Sequence, residues 1–240
     1  MSGLHRNVLV SLVALVLMLA CAPAGARNEC VLDRCMEAAQ TRPFEPRRSG
    51  VAPGDFDFYV LALSWSAGFC ALSDKDREQC APGSGKGFVV HGLWPQGERA
   101  SPADCEAGLR PPARADVQAV RDLFPSEGLA RYEWRKHGGC SGLPASAYFA
   151  DVRRARAEIE IPPEFSAQRS SRRLAPEDIL RSFRAANPRL RPGMAAVACP
   201  RNTFQEVRFC MSKDLRDFVP CPDIVSRSCR ARDIDVPPPL

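Results

Sequence analysis

Cysteine is the residue type that most constrains the fold of this chain. The sequence contains eleven cysteines, and ten remain if residues 1–26, which include Cys21, are removed. An even number of cysteines in an exported chain predicts a disulfide framework. The alternative is a metal site, but the cysteines and histidines form no compact cluster with zinc-finger spacing. We therefore expect the roughly 214 residues after Ala26 to form one domain tied by disulfides.

The prediction of export rests on residues 1–26. Arg6 precedes a short apolar run at residues 8–20, and the segment ends in Ala-Gly-Ala, which is typical of a signal cleavage site. The apolar run is shorter than the roughly 20 residues that a membrane-spanning helix needs. Lipidation at Cys21 is a second interpretation, although Leu19 stands where that modification prefers a small residue. Both interpretations predict a mature protein in the periplasm or outside the cell.

Residues 131–140 concentrate chemically active side chains. If this stretch is a helix, Glu133, Lys136 and His137 occupy positions i, i+3 and i+4 and project from one face. A carboxylate, an ammonium group and an imidazole then share a patch one helical turn long. We expect Trp134 to anchor the helix in the core, and the following Gly-Gly pair to end it, because glycine tolerates a left-handed conformation there.

One other histidine remains to act with His137. The sequence contains three, and His5 lies in the predicted signal segment, which leaves His91. Histidine can serve as acid or base near neutral pH because its ordinary pKa lies there. Taken alone, His137 is explained as a residue that complements a helix dipole, and His91 as a core residue at a strand end. Their neighbours favour a catalytic pair instead.

The segments around both histidines resemble those of a known family. HGLWPQ, at residues 91–96, and EWRKHGGC, at residues 133–140, are similar to the two active-site segments of the ribonuclease T2 family. These are base-nonspecific endoribonucleases that act on single-stranded RNA. FDFYVLALSWSAGFC, at residues 56–70, resembles the first strand of the family, and residues 199–210 resemble its C-terminal strands. The resemblance extends from about residue 55 to residue 229.

The resemblance implies that His91, Glu133, Lys136 and His137 are catalytic. By analogy His137 is the general base and His91 the general acid, with the direction left open because the two can exchange roles between steps. Lys136 would stabilise charge on phosphorus, the alternative being a solvated surface charge. Glu133 would pair with Lys136 or orient a histidine, unless the pair is only a solvated ion pair.

Three further residues are expected to contact substrate: Trp94, Tyr132 and Gln96. Trp94 is predicted either to stack on a base or to be a core residue in a rigid Trp-Pro turn. Many relatives have histidine where this chain has Tyr132, and an acidic residue often follows the Trp-Pro turn, where this chain has Gln96. These departures leave the base preference open without affecting the predicted catalytic groups.

The implied reaction is cleavage of RNA by its own 2′-hydroxyl, which gives a 2′,3′-cyclic phosphate that is then slowly hydrolysed. No metal or other cofactor is expected, and DNA should not be a substrate because it lacks the 2′-hydroxyl. The net charge of +5 falls to +4 without Arg6 and suits a polyanionic partner, although it is common. We expect a monomer without stable membrane association.

Two competing functions make different predictions. A non-catalytic RNA-binding protein on the same scaffold would be expected to have lost one of the two histidines, and this sequence keeps both. A metal-dependent phosphodiesterase would need clusters of Asp and His ligands, which the sequence lacks. The sequence therefore favours an enzyme.

The pairing of the cysteines cannot be deduced from their spacing. The resemblance suggests the pairs Cys105–Cys140, Cys199–Cys229 and Cys210–Cys221. The remaining cysteines pair most simply as Cys70–Cys80 and Cys30–Cys35.

The predicted organisation is a signal segment (residues 1–26), an N-terminal extension (27–53) and a catalytic domain (54–240). The fold class is α+β, a mainly antiparallel sheet packed against several helices. We expect strands at residues 55–66, 88–92, 194–199 and 204–211, and helices at residues 116–124, 130–137, 144–159 and 176–186. Residues 161–173 are expected to form a polar loop, and residues 233–240 a frayed tail.

Overall fold

The computed structural model describes residues 51–73, 76–98, 101–105 and 110–240. The predicted signal segment lies outside these ranges, as do Cys21, Cys30, Cys35 and all but the last three residues of the predicted extension. The strands are β1 (Phe58–Trp65), β2 (Phe88–Gln96), β3 (Arg172–Leu174), β4 (Ala195–Ala198), β5 (Glu206–Ser212) and β6 (Ile234–Val236). The helices are α1 (Ser66–Leu72), α2 (Arg114–Gln118), α3 (Glu127–Lys136), α4 (Ala145–Ala157), α5 (Pro163–Ala167), α6 (Pro176–Ala186) and α7 (Pro222–Ser226). No helix in the described ranges is long and apolar enough to cross a bilayer.

The main sheet is antiparallel and has the strand order β2-β1-β5-β4. Strand β1 lies between β2 and β5, and all its residues except Phe58 are buried. Its nearly continuous apolar sequence is what a strand covered on both faces requires. The α+β fold class and the central position of the first strand are therefore confirmed. Strands β3 and β6 form a separate two-stranded antiparallel sheet.

The predictions of a polar loop at residues 161–173 and of a frayed tail are both wrong. Phe165, in α5, is only 1% exposed, and its ring packs 5.8 Å from that of Trp65. The tail contributes β6 to the small sheet, and the Pro237 carbonyl accepts a hydrogen bond of 2.9 Å from the Trp65 indole. The polar composition of residues 161–173 hid one buried aromatic side chain, and the proline-rich end of the tail hid the short strand that precedes it.

Two predicted helix boundaries also need correction. The helix expected at residues 116–124 is limited to the five residues of α2, and turns follow it. Helix α3 ends at Lys136, because His137 has non-helical backbone angles, and a 3₁₀ turn at Gly138–Ser141 follows. The left-handed residue is Gly142, with φ of +74°, and not the Gly-Gly pair. A Cβ atom at Gly138 would lie 2.5 Å from the Trp134 ring, so close packing requires this glycine.

Helix α3 is positioned by one cap and one aromatic contact. The Ser126 hydroxyl accepts a hydrogen bond from the Leu129 amide at the start of the helix, as an N-cap residue does. Trp134 is buried, as predicted, and its ring lies 5.6 Å from that of Tyr148. The Tyr148 hydroxyl donates a hydrogen bond of 2.8 Å to the Leu93 carbonyl on β2. These contacts fix α3 against β2.

Four of the five expected disulfides lie in the described residues and are present there. They are Cys70–Cys80, Cys105–Cys140, Cys199–Cys229 and Cys210–Cys221. The Cys105–Cys140 bond joins the loop before α2 to the 3₁₀ turn after α3, and thus ties two segments near His137. The fifth expected pair, Cys30–Cys35, lies outside the described residues.

Candidate active site

His91 occupies an irregular position in β2. Ala62 of β1 pairs with Gly92 and Leu63 pairs with Val90, so His91 is left without a partner in a β-bulge. An extra residue of this kind changes the direction of a side chain, and bulges are frequent beside active sites. The bulge explains how an imidazole reaches the site from a strand whose neighbouring residue Val90 is buried in the core.

Strand β2 continues through Trp94 and Pro95, so the predicted Trp-Pro turn is wrong. Trp94 pairs with Val60 and Pro95 pairs with Tyr59 of β1. Proline is tolerated there because β2 is an edge strand of the sheet and one of its sides needs no backbone donor. As a result, His91 projects from the bulge itself, and Trp94 projects from the regular strand that follows it.

His91 lies between two buried carboxylates. Its Nδ1 atom is 2.6 Å from Glu206 Oε2, and its Nε2 atom is 3.7 Å from Glu133 Oε1. The carboxylate side chains are 5% and 1% exposed, whereas that of His91 is 39% exposed. Desolvation by the surrounding protein lowers the pKa of His91. The hydrogen bond to Glu206 and the negative charges of Glu206 and Glu133 together raise this pKa by more. The pKa of His91 is therefore raised.

Glu133 points from α3 toward β2. One of its carboxylate oxygens accepts a hydrogen bond of 2.7 Å from the Trp94 indole. A Cβ atom at Gly92 would lie 2.2 Å from that oxygen, so only glycine permits this approach. Burial raises the pKa of Glu133, although the charge of His91 and the Trp94 hydrogen bond act in the opposite direction. Of the two roles considered for Glu133, these contacts favour orientation of a histidine.

Lys136 pairs with Asp104, not with Glu133. Its ammonium group forms an ion pair with the Asp104 carboxylate, and both side chains are about one third exposed. The Asp104 amide also donates a hydrogen bond of 2.8 Å to the Lys136 carbonyl. The hydrogen bond to Asp104 raises the pKa of Lys136 and keeps the ammonium group charged. Asp104 carried no signal in the sequence because it lies in a loop without a recognisable pattern.

His137 follows α3 in a very different environment. Its Nδ1 atom is buried and has no hydrogen-bond partner among the residues that the structure describes. Burial, followed by the positive charges of Lys136 and His91, lowers the pKa of His137 to about 4, although Asp104 and the Pro102 carbonyl act in the opposite direction. At neutral pH this imidazole is therefore uncharged.

Trp94 brings the two histidines into one site. Its ring centroid lies 5.2 Å from that of His91 and 5.5 Å from that of His137. The Arg208 guanidinium group lies 5.4 Å from the same ring and donates a hydrogen bond of 2.7 Å to Glu206. The residues at 206 and 208 were missed from the sequence. The available signal was a pair of opposite charges at alternate positions of a predicted strand, because charged residues are rare on the buried face of a sheet.

Tyr132 and Gln96 are placed differently from the central residues. Tyr132 is 47% exposed on α3, and the Arg135 guanidinium lies 5.9 Å from its ring. Gln96 is buried at the end of β2, where its amide nitrogen donates to the Pro95 carbonyl and its oxygen accepts from the Ser101 hydroxyl. Both polar ends of the Gln96 side chain are thus engaged within the protein.

A cavity of about 160 Å³ opens beside His91. Polar groups from several elements line it, among them Ser64, Asp76, Gln79, Glu206 and Arg208. Within the described part of the chain, no group of three or more His, Cys, Asp or Glu residues is arranged to hold a metal ion. The concentration of acid, base and cation around His91 and His137 suits proton transfer at a phosphodiester.

Comparison with known proteins gives one consistent result. A sequence model described as the Ribonuclease T2 family matches residues 56–221. The chain is 35% identical to a ribonuclease of Aeromonas hydrophila over 172 residues, which cover 71% of this chain and 78% of that protein. It is 31% identical to ribonuclease I of Escherichia coli over 148 residues, which cover 45% of this chain and 55% of that protein.

Solved structures share the fold. An RNase-related protein from Calystegia sepium superposes with a TM-score of 0.61 at 20% identity and covers 76% of this chain and 97% of its own. The structure of RNase NT in complex with 5′-AMP has a TM-score of 0.59 at 25% identity, covering 78% of this chain and 100% of its own. The likeness to these structures shows the fold that the chain shares with them.

Proposed function

The chain belongs to the ribonuclease T2 family of endoribonucleases, and from this premise we propose that it cleaves single-stranded RNA with little base specificity. Such a reaction needs one group to accept the proton of the ribose 2′-hydroxyl and another to protonate the leaving 5′-oxygen. The observation that supports the proposal best is the opposite setting of two histidines beside one tryptophan. The surroundings of His137 lower its pKa and favour its neutral form, and those of His91 raise its pKa and favour its charged form.

In the first step, neutral His137 accepts the proton of the 2′-hydroxyl, and the 2′-oxygen forms a bond to phosphorus. The bond between phosphorus and the 5′-oxygen breaks, and charged His91 gives its Nε2 proton to that oxygen. The products are a 2′,3′-cyclic phosphate and a free 5′-hydroxyl. One proton has been accepted and one given, so His137 is left charged and His91 neutral.

In the second, slower step the two histidines exchange roles. Neutral His91 accepts a proton from water, whose oxygen forms a bond to phosphorus. The bond to the 2′-oxygen breaks, and charged His137 returns its proton to that oxygen. This step gives a 3′-phosphate and restores both histidines to their starting states, so that no cofactor takes part in the scheme.

Lys136 and Glu133, which both lie on α3 and precede His137, would assist the two histidines. The Lys136 ammonium group would stabilise the negative charge that grows on the phosphoryl oxygens, because a fixed cation acts most strongly where charge develops. Its pairing with Asp104 keeps it charged and in place. Glu133 would act indirectly, by holding Trp94 and by favouring the charged form of His91.

The proposed substrate contacts follow from how far each candidate side chain is exposed to solvent. Trp94 is half-buried, so part of its ring remains available for a base to stack on. Tyr132 is exposed and could offer a second aromatic contact farther along α3. Gln96, whose amide is engaged internally, would shape the loop after β2 in place of reading a base directly.

We extend the proposal to the setting in which the enzyme works. An exported monomer, periplasmic or extracellular, with residues 27–53 as an extension of the catalytic domain, accounts for the predicted signal segment. The four disulfides are consistent with an oxidising compartment. RNA would be the partner, and DNA would resist cleavage because it has no 2′-hydroxyl to act as nucleophile.

The test is digestion of a defined oligoribonucleotide in the presence of a strong chelator. We expect cleavage to continue, with 2′,3′-cyclic phosphate ends appearing before 3′-phosphate ends and with free 5′-hydroxyl ends. The same oligonucleotide with 2′-deoxyribose at every position serves as the matched control and should remain intact. Activity that disappears in chelator and returns with a divalent ion would contradict the proposal, as would 5′-phosphate ends.

A further inference from the structure

Glu206 is a buried acid next to His91, placed there by the sheet. It begins β5, and its backbone pairs with Ser64 of β1 and with Ala198 of β4. Because it is held on both sides, its carboxylate has little freedom to move. The small Ser64 side chain on the intervening strand β1 leaves room for Glu206 to reach the His91 ring on β2.

Both oxygens of the Glu206 carboxylate are occupied by positively charged or proton-donating groups. Oε2 is 2.6 Å from His91 Nδ1, and Oε1 accepts the 2.7 Å hydrogen bond from Arg208 Nε. Burial would raise the pKa of Glu206, but the hydrogen bonds and charges of His91 and Arg208 lower it below its ordinary value. A buried carboxylate that is fully paired in this way remains ionised.

We propose that Glu206 is a positioning residue for His91: it binds Nδ1–H, turns Nε2 toward the scissile phosphodiester and keeps the ring protonated until the proton is transferred. The inference rests on the proposed role of His91 as general acid. The two ring nitrogens of histidine are distinct, and the partner of one determines which proton the other can give. A carboxylate on one nitrogen therefore directs the acid function to the opposite nitrogen.

Other charges around His91 do not replace this role. The groups that face it are Glu206 and Arg208 from β5, Glu133 from α3, His137 after α3, and Asp76 from the loop after α1. The Asp76 carboxylate accepts hydrogen bonds from the backbone amide of Gln79 and from the Ser126 hydroxyl. Glu133 lies 3.7 Å from Nε2, which is beyond hydrogen-bond distance. Glu206 is thus the carboxylate that makes a hydrogen bond to the ring.

The competing explanation is that Glu206 contacts substrate. It lines the cavity beside His91, so a base or ribose could bind against it. That role predicts a higher KM and a nearly unchanged kcat. The positioning role predicts a lower kcat, a nearly unchanged KM and a changed pKa of His91. The two explanations therefore separate in a single set of measurements.

The first variant is Glu206→Gln, which keeps the shape of the side chain and removes its charge. We expect NMR titration to give a lower pKa for His91, and the alkaline limb of kcat/KM to move to lower pH by the same amount. At pH 7 kcat should fall about 10–100-fold, as is typical when the orienting partner of a functional histidine is removed. Glu177→Gln, an exposed acid on α6 that pairs with Arg184, is the matched control and should change neither quantity.

The second variant is Arg208→Met, which stays informative if Glu206→Gln fails to fold. The charge of Arg208 lowers the pKa of His91, so its removal should move that pKa and the alkaline limb upward, opposite to Glu206→Gln. An unchanged pKa of His91 in a folded Glu206→Gln protein, or a rise in KM alone, would overturn the inference. Failure of the proposed function itself would be distinguishable, because His91→Phe would then keep its activity.

Discussion

The bulge in β2 and the end of α3 each present one histidine to the same tryptophan, in opposite electrostatic settings. On the strand, His91 is paired with buried Glu206 and faces Glu133, so its charged form is favoured. After the helix, the buried Nδ1 of His137 has no partner in the described part of the chain, and Lys136 adds a positive charge, so the neutral form of His137 is favoured. The comparison teaches that carboxylates, desolvation and one lysine suffice to shift the pKa values of two histidines in opposite directions, as the proposed acid and base roles require.

The same comparison shows what the sequence could and could not predict. Residues 133, 136 and 137 were singled out by helical spacing together with the family resemblance, although His137 lies just beyond the end of α3. Glu206 and Arg208 were missed because they reach His91 and Trp94 across the sheet, and strand pairing between distant segments leaves no local pattern. The direction of proton transfer was likewise open in the sequence, since it depends on burial and on the loop that carries Asp104.

The largest effect on catalysis should come from removing either imidazole. His91→Phe and His137→Phe should each fold and should each lower turnover by about 10²–10⁴-fold, the usual contribution of a general acid or base. His137→Phe should unfold at no lower temperature than the wild type, because it removes a buried nitrogen that has no partner. Cleavage rates on an oligoribonucleotide and thermal melts measure both effects.

The double variant sharpens this prediction. Groups that act as one unit are non-additive, so the protein without both histidines should be little slower than the poorer single variant. A folded double variant that cleaves RNA at the wild-type rate would place the active site elsewhere in the chain.

Lys136→Ala should have the next largest effect. We expect kcat to fall by about 10²-fold with a smaller change in KM, because the ammonium group is needed most where charge develops in the transition state. The pKa of His137 should rise, since the charge of Lys136 contributes to lowering it. The acid limb of the pH profile should therefore move to higher pH.

Arg135→Ala is the matched control for the lysine. Arg135 is the adjacent residue on α3 and is exposed; it makes a 3.4 Å hydrogen bond to the Arg131 carbonyl and a contact with the Tyr132 ring. It should leave kcat and the acid limb unchanged. An equal loss of kcat in both variants would mean that general positive charge matters, and not the ammonium group beside His137.

Trp94 tests whether the ring or its indole nitrogen matters more. Trp94→Ala should weaken RNA binding by roughly 1–3 kcal/mol, the contribution of one stacked base. Trp94→Phe keeps a stacking surface but removes the hydrogen bond to Glu133, so it should largely keep KM and lower kcat. If the two variants raise KM equally, the ring is not a stacking surface for a base.

The smallest effect on chemistry is expected from the disulfide near the helix end. Replacing Cys105 and Cys140 together by Ala should reduce the free energy of unfolding by about 2–4 kcal/mol and lower kcat slightly, since Asp104 precedes one end of the bond. Replacing Cys70 and Cys80 together is the matched control. It should reduce the free energy of unfolding without altering kcat. Denaturant unfolding measures the stability of both variants, and cleavage rates measure their kcat. A large loss of kcat in the control would contradict this separation.

The difference between the two histidines is tested most directly by NMR titration of both imidazoles in the free enzyme, with His91→Phe and His137→Phe used for assignment. Active enzyme needs neutral His137 and charged His91, so activity should rise as pH passes about 4 and fall above the raised pKa of His91. We predict that His137 titrates near pH 4 and His91 above the ordinary value of about 6.5. The reverse order, or two superimposable curves near pH 6.5, would contradict the assignment of acid and base.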